Sequence, residues 1–94
     1  MEIKVENGYI RYSVEEGEIV IDSVEVFSKR QGTGKMLVNK VKKIAQSEGK
    51  PCTLAAYPQD DSISKADLCA FYESLGFECE YRGSEKEPDL YIYE

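Results

Sequence analysis

The chain has 94 residues, enough for one domain with a small core, and carries a net charge of −6. It contains no histidine, which excludes a Ser–His or Cys–His nucleophile pair and any histidine-ligated metal within the chain. No apolar run reaches the roughly 20 residues of a membrane span, and no basic, apolar leader pattern opens the chain. We therefore expect a cytoplasmic protein with a single domain over residues 1–94 and no metal site.

The first third of the chain predicts three strands. Between residues 3 and 14, two segments rich in β-branched and aromatic residues flank Asn7-Gly8, a dipeptide favoured in two-residue hairpin turns. A polar turn over residues 15–18 then leads into a longer strand over residues 19–27. The apolar alternation of this strand changes phase near Asp22, which predicts a β-bulge or a change of buried face.

From Gly34 the apolar residues recur at helical spacing, and this pattern predicts an amphipathic helix. Gly49 and Pro51 are typical of the end of such a helix. The three cysteines of the chain are an odd number without metal-ligand spacing, so we expect reduced thiols packed as small apolar groups at Cys52, Cys69 and Cys79.

The remaining residues predict one more helix and three more strands. A short apolar strand is expected over residues 53–57, followed by a second helix that starts with a capping box at Ser64 and stops at Gly76. Two final strands are expected over residues 77–81 and 89–93. The predicted order is β-β-β-α-β-α-β-β, an α/β (α+β) fold with a mixed sheet and two helices.

The charge is distributed unevenly along the chain. Residues 29–50 contain seven lysines and arginines against one acid, so the rest of the chain carries −12. A basic segment in an acidic protein is either a solvated helix face or a local anion site. The acidic remainder favours a basic partner and argues against nucleic acid as the ligand.

The stretch KRQGTGK at residues 29–35 looks like a phosphate-binding loop but fails both common patterns. A Walker loop would need a glycine where Lys29 stands and a hydroxyl where Met36 stands. A dinucleotide-binding turn would need a third glycine at Leu37. Neither nucleotide hydrolysis nor a dinucleotide cofactor is therefore indicated.

The stretch still fits a more general anion-binding arrangement, in which a strand is followed by a glycine-containing turn and then by the start of a helix. Gly32 and Gly34 let the backbone approach an anion closely, and the positive end of the helix dipole points to the same place. Lys29, Arg30 and Lys35 add positive charge. The stretch predicts a site for a polyphosphate or similar anion, with a plain strand-to-helix turn and solvated lysines as the alternative.

Two motifs together resemble a known family. A strand followed by KRQGTG and an amphipathic helix is similar to the pyrophosphate-binding motif of the GNAT (Gcn5-related) N-acetyltransferases, and AFYESLGF at residues 70–77 is similar to their second hallmark. The resemblance spans about residues 19–79. It departs at Lys29, where the family has Gln or Arg, and near Lys65, where it often has Asn.

The resemblance implies a minimal GNAT fold with a mixed, mostly antiparallel sheet and two helices. The two helices that usually separate the family's first two strands are missing here, because a short strand–turn segment fills that space. In the family these two helices cover the acceptor site. Without them the site would be open on one side, which suits a protein acceptor. Alternatively, a dimer partner covers the site, so the resemblance is compatible with both a monomer and a homodimer.

The resemblance also implies acetyl-CoA as co-substrate, held between the strand that ends near Val26 and the strand over residues 53–57. The backbone around Val24 and Val26 would bind the pantetheine arm and polarise the thioester carbonyl. The pyrophosphate would be held by the loop that contains Lys29, Arg30, Gln31, Gly32, Thr33, Gly34 and Lys35.

Two side chains are the catalytic candidates. Tyr72 matches the family's tyrosine that protonates the departing CoA thiolate, although a core aromatic is the alternative; its neighbours Phe71, Leu75 and Phe77 are predicted to be core. Glu25 alternates with two valines and is the candidate base that deprotonates the acceptor amine, or else an ordinary exposed glutamate. Asp60, Asp61 or a water could take that role instead.

A closer resemblance covers nearly the whole chain. Its length, IDSVEV, KRQGTG and AYPQDDSIS are similar to the phage-encoded anti-CRISPR acetyltransferases of type V-A. This resemblance implies acetylation of the lysine with which a type V-A CRISPR nuclease recognises the protospacer-adjacent motif. A small bacterial GNAT enzyme acting on another protein or a small amine, and a non-catalytic CoA-binding module, are the alternatives.

Overall fold

A computed structural model describes residues 1–27, 32–58 and 63–94. These residues form six strands and two helices in the predicted order: β1 (Glu2–Val5), β2 (Gly8–Val14), β3 (Ile19–Val26), α1 (Thr33–Glu48), β4 (Cys52–Ala56), α2 (Lys65–Ser74), β5 (Glu78–Tyr81) and β6 (Asp89–Tyr93). Neither of these two helices is long and apolar enough to span a bilayer.

All six strands belong to one mixed sheet with the order β1-β2-β3-β4-β6-β5. Its one parallel pair, β3 with β4, is joined through α1, as a parallel connection requires, and the other pairs are antiparallel. The parallel pairing covers only Ile19 to Ile21 on β3 and Cys52 to Leu54 on β4. Beyond these residues the two strands are no longer paired, and a cleft opens between them.

The predicted irregularity in the third strand is a β-bulge. Arg11 on β2 pairs with Ser23, whereas the next residue, Tyr12, pairs with Ile21, so Asp22 is the extra residue on β3. The bulge lies where β3 loses its pairing with β4. It therefore re-aims the last four residues of β3 along the cleft.

The Asn-Gly turn predicted for the first hairpin is wrong by one residue. Gly8 is already part of β2 and pairs with Val5, so the turn residues are Glu6 and Asn7. A Cβ atom on Gly8 would lie 2.3 Å from the carbonyl oxygen of Glu25 on the neighbouring strand. The glycine is needed for this close approach between strands and not for the turn.

The helix ends follow the predicted signals closely. α1 begins at Thr33, one residue before the predicted start, and Gly49 ends it in the left-handed conformation. At the start of α2, the Ser64 hydroxyl accepts a hydrogen bond from the Asp67 amide at 3.1 Å, which confirms the predicted cap.

Both helices pack against the same face of the sheet. Ile21, Leu54 and Tyr91 form one row across β3, β4 and β6 and are buried. The next row, Val20, Thr53 and Ile92, points to the opposite face and is only partly buried. Buried residues of α1 and α2, and Leu75 directly after α2, join the first face in one cluster: Leu37, Val38, Val41, Ala45, Cys69, Tyr72 and Leu75. The three cysteines are free thiols, as predicted.

Lys42 ties the two helices together. Its ammonium group donates to the carbonyl oxygen of Leu75 at the end of α2, at 2.6 Å, and lies 4.1 Å from the ring centre of Tyr93. One of the lysines in the basic segment is therefore a structural contact and not a solvated charge. The carbonyl that it binds is one of those that a helix leaves unpaired at its end.

Replacing Lys42 with methionine is expected to lower the free energy of unfolding by about 2 kcal/mol, because a charged hydrogen bond and a cation–π contact are lost while the aliphatic stem is kept. Urea unfolding followed by circular dichroism measures the change. Lys43→Met, one position along on the exposed side of α1, is the matched control and should change stability little. Equal stability of the two variants would contradict the role of Lys42.

Candidate active site

The cleft between β3 and β4 collects most of the predicted site residues. It has a volume of about 450 Å³ and is lined by β3, the start of α1, the end of β4 and α2. The predicted residues that line it are Val24, Glu25, Val26, Gly32, Thr33, Gly34, Lys35 and Tyr72. Lys29, Arg30, Gln31, Asp60 and Asp61 lie outside the described residues.

The start of α1 faces this cleft with backbone N–H donors that have no acceptor within the helix. Gly32 has a φ of 70° and precedes the helix, and its carbonyl accepts the first helical hydrogen bond from Met36. The amides of Thr33, Gly34 and Lys35 come before that bond and have no helical acceptor. The first turn carries no acidic residue, so the positive end of the helix dipole stays available to an anion.

Gly34 is the point where three elements meet. A Cβ atom at this position would lie 3.4 Å from the ring of Phe71 on α2 and 3.5 Å from the side chain of Val26 on β3. Phe71 was predicted to be a core residue, and this is wrong in part, because its ring is half-buried and lines the cleft. Its neighbours Leu75 and Phe77 are core, as predicted.

The bulge sets which backbone amides of β3 face the cleft. Phe27 donates its amide to Asn7 on the β2 side, at 2.7 Å. Because successive amides of a strand point in opposite directions, the amide of Glu25 also faces β2, whereas those of Val24 and Val26 face the cleft. This orientation leaves the two valine amides at the edge of the cleft, where a ligand can accept from them.

Tyr72 both packs in the core and lines the cleft. It is 7% exposed, and its ring contacts those of Phe71, Phe77 and Tyr91. Burial raises the pKa of Tyr72 to about 12. The phenol therefore keeps its proton to a higher pH than an ordinary tyrosine does.

The same burial makes stability fall at high pH. Below about pH 10 tyrosine is protonated in both the folded and the unfolded chain, so Tyr72 does not make the free energy of unfolding depend on pH. Between about pH 10 and 12 the unfolded tyrosine loses its proton while the folded one keeps it. Stability is therefore lost over this window as the pH rises. Burial also raises the pKa of Cys52, to about 11, and adds to the loss at somewhat lower pH.

We expect the melting temperature of the protein to fall steeply between pH 10 and 12, with a shallower fall in Tyr72→Phe, which removes the tyrosine's share. Thermal unfolding at a series of pH values measures both slopes. Parallel curves for the two proteins would show that Tyr72 ionises equally in the folded and unfolded states.

Glu25 lies at the open side of the cleft. It is exposed and pairs across the sheet with Tyr9, so its side chain points away from the helices. Several residues that sequence reasoning did not single out for the site also line the cleft, among them Asp22, Ala55 and Tyr57. The resemblance places the co-substrate between their two strands, but which side chains line the cleft depends on where β3 and β4 diverge.

An ion-pair cluster holds the start of α2. Lys65 lies 2.9 Å from the Asp89 carboxylate and donates to the carbonyls of Ser84 and Glu87 at 2.8 and 2.7 Å. Asp89 is 1% exposed and also binds Arg82 at 3.0 Å. The hydrogen bond from Lys65 lowers the pKa of Asp89. Asp89 was not singled out in the sequence, yet it anchors the helix that carries Tyr72.

Solved structures of other proteins share this fold. The PaiA N-acetyltransferase from Thermoplasma acidophilum, in complex with coenzyme A, matches with a TM-score of 0.73 and 18% identity over 94% of this chain and 53% of that one. An acyl-CoA N-acyltransferase from Pseudomonas aeruginosa matches with a TM-score of 0.65 and 24% identity, over 92% and 58% of the two chains. The chain thus spans little more than half the length of these two proteins. The architecture is that of the GNAT acetyltransferases, as predicted.

A nearer match identifies the family. The anti-CRISPR protein AcrVA5 is 47% identical, with a TM-score of 0.90, over 100% of this chain and 97% of its own. The chain belongs to the AcrVA5 family of anti-CRISPR proteins within the GNAT acetyltransferase class. Neither the protein-family models nor the curated proteins searched give a match.

Proposed function

We propose that this protein transfers the acetyl group of acetyl-CoA to a lysine of a type V-A CRISPR nuclease, the lysine that recognises the protospacer-adjacent motif. The observation that carries the proposal is the 47% identity to an anti-CRISPR protein over the whole chain. The cleft of a GNAT fold supplies the chemistry. The setting is the cytoplasm of the bacterium in which the nuclease acts.

The cleft offers donors for both ends of the co-substrate. The first amides of α1, at Thr33, Gly34 and Lys35, suit the pyrophosphate, and the amides of Val24 and Val26 suit the pantetheine arm and the thioester carbonyl. In this arrangement the phosphates contribute only to binding, and the reaction takes place at the thioester, at the end of the cleft away from the start of α1.

The reaction removes two protons from the lysine ammonium group and adds one to the CoA sulfur. A free lysine has a pKa of about 10.4, so its ammonium group must lose a proton before attack, and Glu25 is the proposed acceptor. The amine nitrogen then bonds to the thioester carbonyl carbon, the carbon–sulfur bond breaks, and the nitrogen gives its second proton to water. Tyr72, a protonated phenol at neutral pH, supplies the proton to the departing thiolate and takes one back from water. The chain itself forms no covalent intermediate in this direct transfer.

Acetylation of such a lysine would disable DNA recognition. The modification removes a positive charge and a hydrogen-bond donor from the contact with DNA. The nuclease would keep its fold and its guide but lose the first step of target recognition.

Intact-mass spectrometry tests the proposal. After incubation of a type V-A nuclease with this protein and acetyl-CoA, the nuclease mass should rise by about 42 Da per acetyl group added. Replacing acetyl-CoA with CoA should leave the mass unchanged. An unmodified mass with acetyl-CoA would refute the proposal, and blocked DNA cleavage without a mass change would identify a non-catalytic binding module instead.

A further inference from the structure

The sheet face opposite the two helices is bare in the part of the chain that the structure describes. We call it the open face. Its central rows are Val20, Thr53 and Ile92, and Ala55, Leu90 and Tyr81, as the strand register places them. Both helices lie against the other face, so these six residues carry no second layer.

Large apolar side chains on the open face are left in contact with water. Leu90 on β6 is 41% exposed and Tyr81 beside it on β5 is 53% exposed. On the same open face, but near β2 and β3, Phe27 is 66% exposed and its ring contacts that of Tyr9. An apolar surface of this kind, spread over a rigid sheet, is typical of a protein contact.

The open face leads directly into the cleft. Glu25 and Ala55 lie on this face by strand alternation, and the exposed Tyr57 follows directly after β4; all three also line the cleft. A protein seated on the open face can therefore extend a lysine side chain into the cleft between β3 and β4. No other layer of the described chain stands between the two.

The charges of the open face are mainly acidic. Glu18, Asp22 and Glu25 lie on or beside it; Glu18 accepts from the Thr53 hydroxyl and Asp22 from the Ser13 hydroxyl. The described bases on this face, Lys4 and Arg11, both pair with Glu2 at the far edge. A basic protein surface complements this pattern, whereas a second copy of the chain would oppose like charges.

We propose that the open face docks the acceptor protein, through a basic surface of that protein that presents its lysine to the cleft. The inference rests on the proposed function, because it names the surface by which the nuclease is recognised. It predicts that recognition and chemistry are separable: residues of β5 and β6 outside the cleft select the acceptor, and residues of the cleft transfer the acetyl group.

Leu90→Lys and Tyr81→Lys test the proposal. Each removes an apolar contact and adds a positive charge, which the basic surface of the acceptor protein would repel. Each variant is assayed with a purified type V-A nuclease and with a short lysine peptide copied from its acetylated segment. We expect KM for the nuclease to rise by about tenfold or more, with transfer to the peptide unchanged. Val14→Lys, at a position 39% exposed on the strand end remote from the cleft, is the matched control.

The outcomes separate this proposal from the proposed function. Unchanged KM for the nuclease in both variants, or an equal loss for nuclease and peptide, would overturn docking on the open face while acetylation of the nuclease stands. Light scattering that shows a wild-type dimer dissolved by Leu90→Lys would assign the face to a second copy. A wild-type protein that modifies the peptide but leaves the nuclease unmodified would overturn the proposed function together with the docking. Thermal unfolding confirms that each variant is folded.

Discussion

Replacing Tyr72 with phenylalanine is expected to lower kcat for acetyl transfer by about 100-fold or more, because the departing thiolate then lacks its proton donor. KM for acetyl-CoA should change little, since the ring still fills the same space beside Phe71, Phe77 and Tyr91. The phenol of Tyr72 is protonated throughout the working range, as a proton donor must be, and burial raises its pKa to about 12.

Single-turnover measurement of acetyl transfer gives the chemical step without the influence of product release. Tyr12→Phe is the matched control, because Tyr12 is a buried tyrosine of the same core that does not line the cleft. Full activity of Tyr72→Phe would mean that Tyr72 is a core aromatic and that the thiolate takes its proton from water. Equal losses in both variants would indicate damage to the core.

Replacing Gly34 with valine is expected to raise KM for acetyl-CoA by about 10- to 100-fold, because overpacking of a filled site costs about 1–3 kcal/mol. Even the first carbon of the new side chain would meet Phe71 at 3.4 Å and Val26 at 3.5 Å. The two methyl groups beyond it have to displace one of these residues or enter the cleft where the first amides of α1 lie.

Titration of acetyl-CoA into the protein measures this effect directly, by calorimetry or by the initial rate of transfer. Gly17→Val is the control, since a Cβ at Gly17 has no atom within 4 Å. Unchanged affinity in Gly34→Val would show that the ligand does not approach the start of α1, and the predicted pyrophosphate site would then be wrong.

The elements of this fold were predictable because each is encoded by neighbouring residues. Helical spacing after Gly34, the glycine at 49 and the cap at Ser64 are local signals, and the structure follows them within one residue. The bulge near Asp22 was also visible, because an extra residue shifts the apolar alternation of a single strand. The family was recognisable for the same reason, since both of its motifs are short and continuous.

The sequence-based predictions were wrong where the role of a residue is set by contacts with a distant part of the chain. Gly8 was assigned to a turn, but it is a glycine because the carbonyl of Glu25 lies against it. Lys42 belonged to a charged segment, but it binds a carbonyl 33 residues away. Phe71 was assigned to the core, but it only packs against the core from one side, and its ring also lines the cleft. In each case a local pattern suggested an ordinary role, and packing between elements decided otherwise.

The sequence by itself determined the order of strands and helices, the bulge, the helix ends and the two family motifs, because these depend on interactions within a few residues. Only the tertiary structure decided where β3 and β4 separate, beyond Ile21 and Leu54, and that both helices cover one face of the sheet. These features create the cleft and the open face, and they depend on strand register and long-range packing. Such contacts join residues far apart in the chain, so no single stretch encodes them.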